Sequence, residues 1–376
     1  MGAFLILLIL TLVLWAMGFL LLPRLRPRAG PPLADRSPPL SIIIPARNEA
    51  HNLPRLLDSI ARQSFKPREV IVVNDASTDA TAETAARHGA RVVDSAPLPP
   101  GWRGKTWACH QGAQCATGEL LLFLDADTWF EPEGLARLLG AFASVWRRCG
   151  RSTVADERVP EERAAEGASC RGAFSVGPFH VVRRPHEQLS LFFNLSMTVG
   201  TVPDRLFGPM LLVDRESYRC AGGHEAVKGR ILEHFHLARR FRALGIPTRS
   251  VVGRGILAFR MYPHGLGELI EGWTKGFAAG AGQTARGVLF VVVAWMMGLM
   301  FAPLGGLLSG DWMRWGAVYL LCAAQVGWFA RCVGSFHWWT ALVYPVPLIF
   351  FFGLMARSAR RSGKTVTWKG REICAD

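Results

Sequence analysis

Glu119-Leu120-Leu121-Leu122-Phe123-Leu124-Asp125-Ala126-Asp127-Thr128 runs an apolar segment straight into two carboxylates two residues apart. The continuous run of large apolar side chains marks a strand buried in a sheet. In an extended segment the side chains alternate, which puts Asp125 and Asp127 on one side and the small Ala126 on the other. Two aligned carboxylates at the end of a buried strand repel each other unless a cation sits beside them. A hard divalent ion with oxygen ligands, Mg2+ or Mn2+, meets that need. Such an ion is commonly held through one or two carboxylates plus substrate phosphates, so the stretch points to a diphosphate-bearing substrate.

The chain around this stretch alternates strand and helix signals. Leu40 to Ile44 reads as a buried strand ending at Pro45, and Glu49 to Gln63 has helical spacing of Leu53, Leu56, Leu57 and Ile60. A second strand, Glu69 to Val73, runs into Asn74-Asp75-Ala76-Ser77-Thr78-Asp79; a helix, a short strand at Ala90 to Val93 and a helix from Lys105 to Ala116 follow. Strands separated by helix-length segments give right-handed βαβ units and a parallel sheet covered on both faces. Ligands of such sheets gather beyond the carboxyl ends of the strands. Pro45, Arg47, Glu49, Asp75 and the Asp125-Ala126-Asp127 turn all fall there. Further on, Val145 to Arg171 is charged and aperiodic and reads as a solvated loop, whereas Ile231 to Leu244 reads as a basic helix.

Half of the 376 residues are hydrophobic, 13 are Trp, and the net charge is +14, which describes one sizeable domain joined to membrane segments. Residues 1–23 carry an apolar run of spanning length followed by arginines, the reverse of a cleaved signal peptide and the pattern of an uncleaved anchor. A basic, Pro-rich linker occupies 24–39, the α/β domain 40–286, and a C-terminal membrane region of two or three helices 287–356. A basic tail, 357–376, is assigned to the cytoplasmic side with the domain. Arginine clusters flank the apolar segments, which favours a membrane surface over nucleic acid as their partner. The 8 cysteines show no paired metal spacing and read as reduced thiols.

Four motifs occur in one order: Ile42-Ile43-Ile44-Pro45-Ala46-Arg47-Asn48-Glu49, Asn74-Asp75, Asp125-Ala126-Asp127, and Glu233-His234 on a later helix. Together they resemble the inverting family-two glycosyltransferases of GT-A fold. The resemblance implies a nucleotide-sugar donor bound by Pro45, Arg47, Glu49, Asp75 and Asp125, with a metal on Asp127 and Asp125. It also implies a base near Glu233. Family members commonly carry Glu-Asp there and use the Asp; here the second position is His234, so Glu233 and His234 both stand as candidates. Lys105, near a helix start, is a further candidate for the donor diphosphate.

A closer resemblance extends over most of the chain. Gly104-Lys105-Thr106-Trp107-Ala108-Cys109, Phe207-Gly208-Pro209, Gly222-Gly223-His224, Phe259-Arg260-Met261-Tyr262, Glu271-Gly272-Trp273-Thr274-Lys275, Gly280-Ala281-Gly282 and Trp368-Lys369-Gly370-Arg371 look like the diaponeurosporenoate glycosyltransferases of carotenoid synthesis. This implies glucose transfer from UDP-glucose to a carotenoid carboxylate at the cytoplasmic face of the cell membrane. Trp273 is then a stacking surface for acceptor or sugar and Lys275 a partner for phosphate or carboxylate. The residues alone support a lipid-like acceptor and leave a polyprenyl phosphate, hopanoid or glycerolipid open, as well as a non-catalytic scaffold that keeps the fold.

Overall fold

The computed structural model describes residues 2–26, 38–153, 172–230, 232–281, 284–359, 366–368 and 371–373, of which 2–3, 145–153, 275–281, 359, 366–368 and 371–373 are described by backbone alone. The chain forms two compact units, one from Pro27–Pro178 and Pro203–Phe259, the other from Met1–Arg26, Phe179–Val202 and Arg260–Asp376. The boundary expected at 286 is therefore drawn differently by the packing. Phe192, Phe193 and Leu195 of the 179–202 segment, with Leu269 and Trp273 of the 260–281 segment, join the same apolar core as Trp295 and Phe329 of the long C-terminal helices.

The first unit is built on strands β1 (Leu40–Ala46), β2 (Glu69–Asn74), β3 (Arg91–Asp94), β4 (Leu120–Leu124), β5 (Ala173–Gly177), β6 (Met210–Asp214) and β7 (Thr248–Val252). They form one seven-stranded sheet in the order β3-β2-β1-β4-β6-β5-β7. β1 is parallel to β2 and β4, β2 is parallel to β3, and β6 runs antiparallel to both β4 and β5. The alternation of strands and helices thus gives the expected α/β sheet, mixed at one side. The chain winds outward from β1 to β3 and then returns to the other flank of β1 as β4. That reversal opens a crevice at the carboxyl ends of β1 and β4.

Local sequence explains how the sheet is covered. The helix Leu53–Ala61 buries Leu53, Leu56, Leu57 and Ile60, the expected stripe, and starts with Pro54 in its first turn. Each of these leucine or isoleucine side chains gains about 1.5–3 kcal/mol on burial. On the other face, Gly104–Cys115 is a helix of low amphipathic contrast whose buried residues are Thr106, Ala108, Cys109, Gly112 and Ala113. Its small residues allow close approach: a Cβ at Gly112 would lie 2.4 Å from Ile43 Cγ2. That approach sets how near Lys105 comes to the strand ends.

One expectation is corrected here. Val145 to Arg171 is not irregular throughout, because the helix Gly134–Thr153 continues across its first part; Leu135, Leu138, Leu139 and Phe142 supply the buried stripe. Residues 154–171 lie outside the described residues. The Asp-Ala-Asp stretch leaves the strand at Leu124 and turns, with Thr128 N–H and Oγ1 both donating to the Asp125 carbonyl at 3.2 and 2.8 Å. Burial still alternates as the strand argument required, with Ala126 buried between two partly exposed aspartates.

In the second unit, Phe4–Leu25, Arg286–Ser309 and Trp312–Val333 are long and apolar enough to cross a membrane. The apolar stretch from Trp338 onward is broken into Trp338–Leu342 and Pro345–Ala359. The break falls just before Pro345, whose ring cannot continue a preceding helix. Most of the linker and of the basic tail lies outside the described residues.

Candidate functional site

The sheet delivers three segments to the crevice. After β1, the Arg47 guanidinium donates from Nη1 to the Asp75 carbonyl at 3.0 Å and lies 3.9 Å from its Oδ2. Asp75 itself follows β2 and is tied to β1 by its N–H on the Ala46 carbonyl, 2.8 Å. Pro45 closes β1. Glu49 faces its own helix start, where Asn52 Nδ2 donates to Glu49 Oε2 at 2.7 Å and the Glu49 N–H donates to Thr81 Oγ1 at 2.9 Å. Asp75 is thus held beside Arg47, while Glu49 shapes the loop.

Beyond β4 the geometry is tighter. Lys105 Nζ sits 2.7 Å from Asp125 Oδ1 and 3.0 Å from Glu233 Oε1, so one ammonium joins two carboxylates from distant parts of the chain. Lys105 is the second residue of its helix, where the helix dipole opposes a positive charge. The two carboxylates offset that field. Burial would lower the Lys105 pKa, but Asp125 and then Glu233 hold it well above its ordinary value. For Glu233 burial would raise the pKa; Lys105, followed by His234, outweighs it and holds the carboxyl at about 2.

Glu233 opens the helix Glu233–Ala243 from an unusual start. Leu232 precedes it with φ 56° and ψ 50°, a left-handed conformation uncommon for a bulky residue. His234 is buried next to it. Its Nδ1 lies 3.0 Å from the Phe207 carbonyl oxygen, and its Nε2 lies 4.0 Å from Glu233 Oε1. Burial pulls the His234 pKa down, Glu233 opposes this, and Lys105 adds to the lowering.

The other predicted residues fall elsewhere. Trp273 is 2% exposed, stacks on Phe193 at 4.8 Å and donates from Nε1 to Ser190 Oγ at 3.1 Å. Its ring is a packing element of the second unit and not an open stacking surface, a correction whose cause is that Phe193 and Tyr262 pack against it. The Lys275 side chain lies outside the described residues. Sequence reasoning did not assign roles to Tyr218, His224 or Cys109, all buried around the Lys105–Glu233 corner. The spacing of Tyr218 and His224 across Gly222-Gly223 was the available signal, since a tight glycine turn folds the second side chain back on the first. The Phe207 carbonyl has none, because a main-chain acceptor carries no residue identity.

Among the described residues no group of three or more His, Cys, Asp or Glu side chains is placed to hold a metal unaided. Asp125 and Asp127, both partly exposed beside the crevice, offer the one or two carboxylates through which Mg2+ or Mn2+ is held when phosphate oxygens and water complete its shell. The donor set fits an ion that arrives with a diphosphate.

The sequence model described as Glycosyl transferase family 2 matches residues 41–198. The 4,4'-diaponeurosporenoate glycosyltransferase of Staphylococcus aureus strain USA300 is 34% identical over 351 residues, covering 89% of this chain and 88% of the relative. Among solved structures, a mannosyltransferase from Pyrobaculum calidifontis in complex with GDP-Man and Mn2+ is similar with a TM-score of 0.49 and 18% identity, covering 92% of this chain and 97% of that one. Glucosyl-3-phosphoglycerate synthase from Mycobacterium tuberculosis, in complex with Mn2+, UDP and glucosyl-3-phosphoglycerate, is similar with a TM-score of 0.38 and 20% identity, covering 66% and 80%.

Proposed function

The chain belongs to glycosyl transferase family 2 and has its mixed α/β GT-A-like fold with long apolar helices at both ends, and from that premise we propose that it transfers glucose from UDP-glucose to the carboxylate of a carotenoid-like lipid. The observation that carries this reading is the convergence of Arg47, Asp75, Asp125, Lys105 and Glu233 at the carboxyl ends of β1, β2 and β4. A nucleoside diphosphate brings a base, a ribose and two phosphates. Asp75 and Arg47 face the base and ribose, while Asp125, Asp127 and Lys105 meet the diphosphate.

A divalent ion held by Asp127 and Asp125 would supply positive charge to the leaving diphosphate. Lys105, already between two carboxylates, adds a second cation at the same place. An inverting displacement requires the acceptor oxygen to approach from the side opposite the diphosphate, and Glu233 is the acid placed to take a proton from a hydroxyl acceptor. An acceptor that is itself a carboxylate brings an anionic oxygen and needs little deprotonation. The relative's name supports that acceptor class, and the apolar helices support a lipid-like one.

Arginine clusters beside the apolar segments support a reading in which the α/β unit works at the cytoplasmic face of a membrane. Mass spectrometry of lipids formed by the protein with a panel of nucleotide sugars and carotenoid acids tests donor and acceptor together. A new hexosyl ester that appears with UDP-glucose, and is lost with Asp127→Ala or with chelator, is the expected result. Transfer that survives both treatments would remove the metal from the mechanism, and a labelled polyprenyl phosphate, hopanoid or glycerolipid would replace the acceptor.

A further inference from the structure

The Phe259-Arg260-Met261-Tyr262 stretch holds an arginine to which the transfer scheme gives no task. The partner of Arg260 is Glu187, whose side chain is fully buried in the short helical turn Pro185–Ser190. Glu187 Oε2 accepts from the main-chain N–H groups of Arg183 and Arg184 at 2.6 and 3.1 Å. Glu187 Oε1 accepts from Arg260 Nε and Nη2 at 2.9 and 2.6 Å. Burial would raise the Glu187 pKa, but the Arg183 N–H and then the Arg260 guanidinium outweigh it and hold the carboxyl below its ordinary value. Both members of the pair are therefore charged.

A guanidinium is a planar fork with two edges that can each hold an oxyanion, one formed by Nε and Nη2 and the other by Nη1 and Nη2. Glu187 takes the first edge. Among the described residues nothing bonds to Nη1, and the Arg260 side chain keeps 20% of its surface open while that of Glu187 keeps none. The second edge is thus open and its plane is already fixed, which spares a ligand the cost of ordering a free arginine. Arg183 and Arg184, both exposed beside Glu187, leave positive charge in excess around it.

The backbone that carries Arg260 is fixed as well. Arg184 Nη1 donates to the Pro263 carbonyl at 2.9 Å and His186 Nε2 to the Tyr262 carbonyl at 3.0 Å. Tyr262 takes a φ of 56°, and its ring lies over Gly272, where a Cβ would come within 2.1 Å of Tyr262 Cε1. Met261 and Tyr262 are half-buried and pack against the apolar core of the second unit. Apolar side chains therefore follow directly on the open edge, an arrangement that matches a ligand with one anionic end and a long apolar body. On the other side in sequence, Arg260 follows Phe259, which pairs with Thr128, the neighbour of Asp127.

We propose that Arg260 binds the oxyanion end of the apolar acceptor on its Nη1–Nη2 edge, with Glu187 as the residue that positions the guanidinium. The inference rests on the transferase reading for the fate of that acceptor, and its binding test does not. With the full chain in micelles, quenching of tryptophan fluorescence compares retinoic acid with retinol, which share a polyene body and differ in the carboxylate. Geranylgeranyl phosphate adds the phosphate source of the same chemistry. The wild type should bind an anion about tenfold or more tightly than retinol.

Arg260→Lys keeps a charge beside Glu187 and lacks the second edge. It should weaken the anion about ten- to a hundredfold and leave retinol binding and donor KM unchanged. Glu187→Gln should narrow the same preference by a smaller factor. In transfer from UDP-glucose, Arg260→Lys raises acceptor KM and keeps kcat at saturation. A gain confined to the phosphate would assign the edge to a phosphate headgroup, and a gain confined to the acid to a carboxylate. A wild-type chain that prefers neither anion over retinol, or an Arg260→Lys variant that weakens anion and alcohol alike or changes only the melting temperature, overturns the proposal. If the wild-type chain transfers no sugar while the Arg260-dependent preference persists, the transferase reading fails and the subsite stands.

Discussion

The two sides of the crevice are held by different kinds of bond. At the ends of β1 and β2 the loops are laced together by short polar side chains on main-chain groups. Asn48 N–H donates to Ser77 Oγ at 3.1 Å, Ala50 N–H to Asp79 Oδ2 at 3.1 Å, and Thr78 N–H to Asn48 Oδ1 at 2.8 Å. At the end of β4 the work falls to one ammonium between two carboxylates. The first side distributes its stability over several bonds of about 1 kcal/mol each. The second concentrates it in a single side chain, so single substitutions should separate the two.

Lys105→Met carries the largest expected effect. Removing one fixed charge aimed at a developing anion typically lowers kcat by about 10²–10³-fold, and here the same change leaves Asp125 and Glu233 without their shared cation. Stability should respond with a defined sign. Glu233 has a folded pKa held below its ordinary 4.5, at about 2. Its ionised form therefore stabilises the fold above about pH 4.5, and that contribution is lost as pH falls toward about 2. Because Lys105 causes the depression, the methionine variant should lose the stability at higher pH. Melting curves from neutral pH down to the acid limb, paired with transfer rates at saturating donor, check both parts. A variant whose acid limb matches the wild type would show that Lys105 and Glu233 are not paired in solution.

Asp79→Ala probes the other side and should do less. Asp79 accepts from the N–H groups of Ala50 and Thr81, each at 3.1 Å, and joins the loop after β1 to the helix Thr81–Arg87. Loss of one exposed lacing residue should cost about 1 kcal/mol and raise donor KM with little change in kcat, as read from unfolding curves and initial rates. An effect on kcat as large as that of Lys105→Met would erase the distinction between the two sides.

The same difference governs what the sequence reveals. Strands β1, β2 and β4 and the helix after β1 are written as periodic apolar residues, and each occurs within a few residues of its expected place. Asp75, Asp125 and Glu233 are legible because they sit at strand or helix ends, where a carboxylate needs a reason. The Lys105 bridge is not legible, since no local pattern links position 105 to 233; the approach of helix Gly104–Cys115 to β1 through Gly112 creates it. Trp273 misleads for the converse reason. An aromatic residue on an amphipathic helix looks the same whether its face is open or covered, and only the fold of the 179–202 segment decides that it is covered.

Leu232→Asn should have the smallest effect, and it asks what holds Glu233 in place. Leu232 occupies left-handed backbone at the start of the helix Glu233–Ala243 with no side-chain cap of its own. Asparagine tolerates that conformation better, its side chain can bond to neighbouring main-chain groups, and relief of the strain is worth about 1–2 kcal/mol. If the ion pair with Lys105 at 3.0 Å positions the Glu233 carboxylate, the variant should unfold at higher denaturant while kcat stays within about twofold, a change of a few tenths of a kcal/mol in the barrier. If the strained turn itself aims Glu233, relaxing it should lower kcat by tenfold or more, on the order of what a misplaced catalytic group costs. Strain is commonly stored at functional sites, and stability and rate measured on one variant assign it here either to the backbone or to the ammonium.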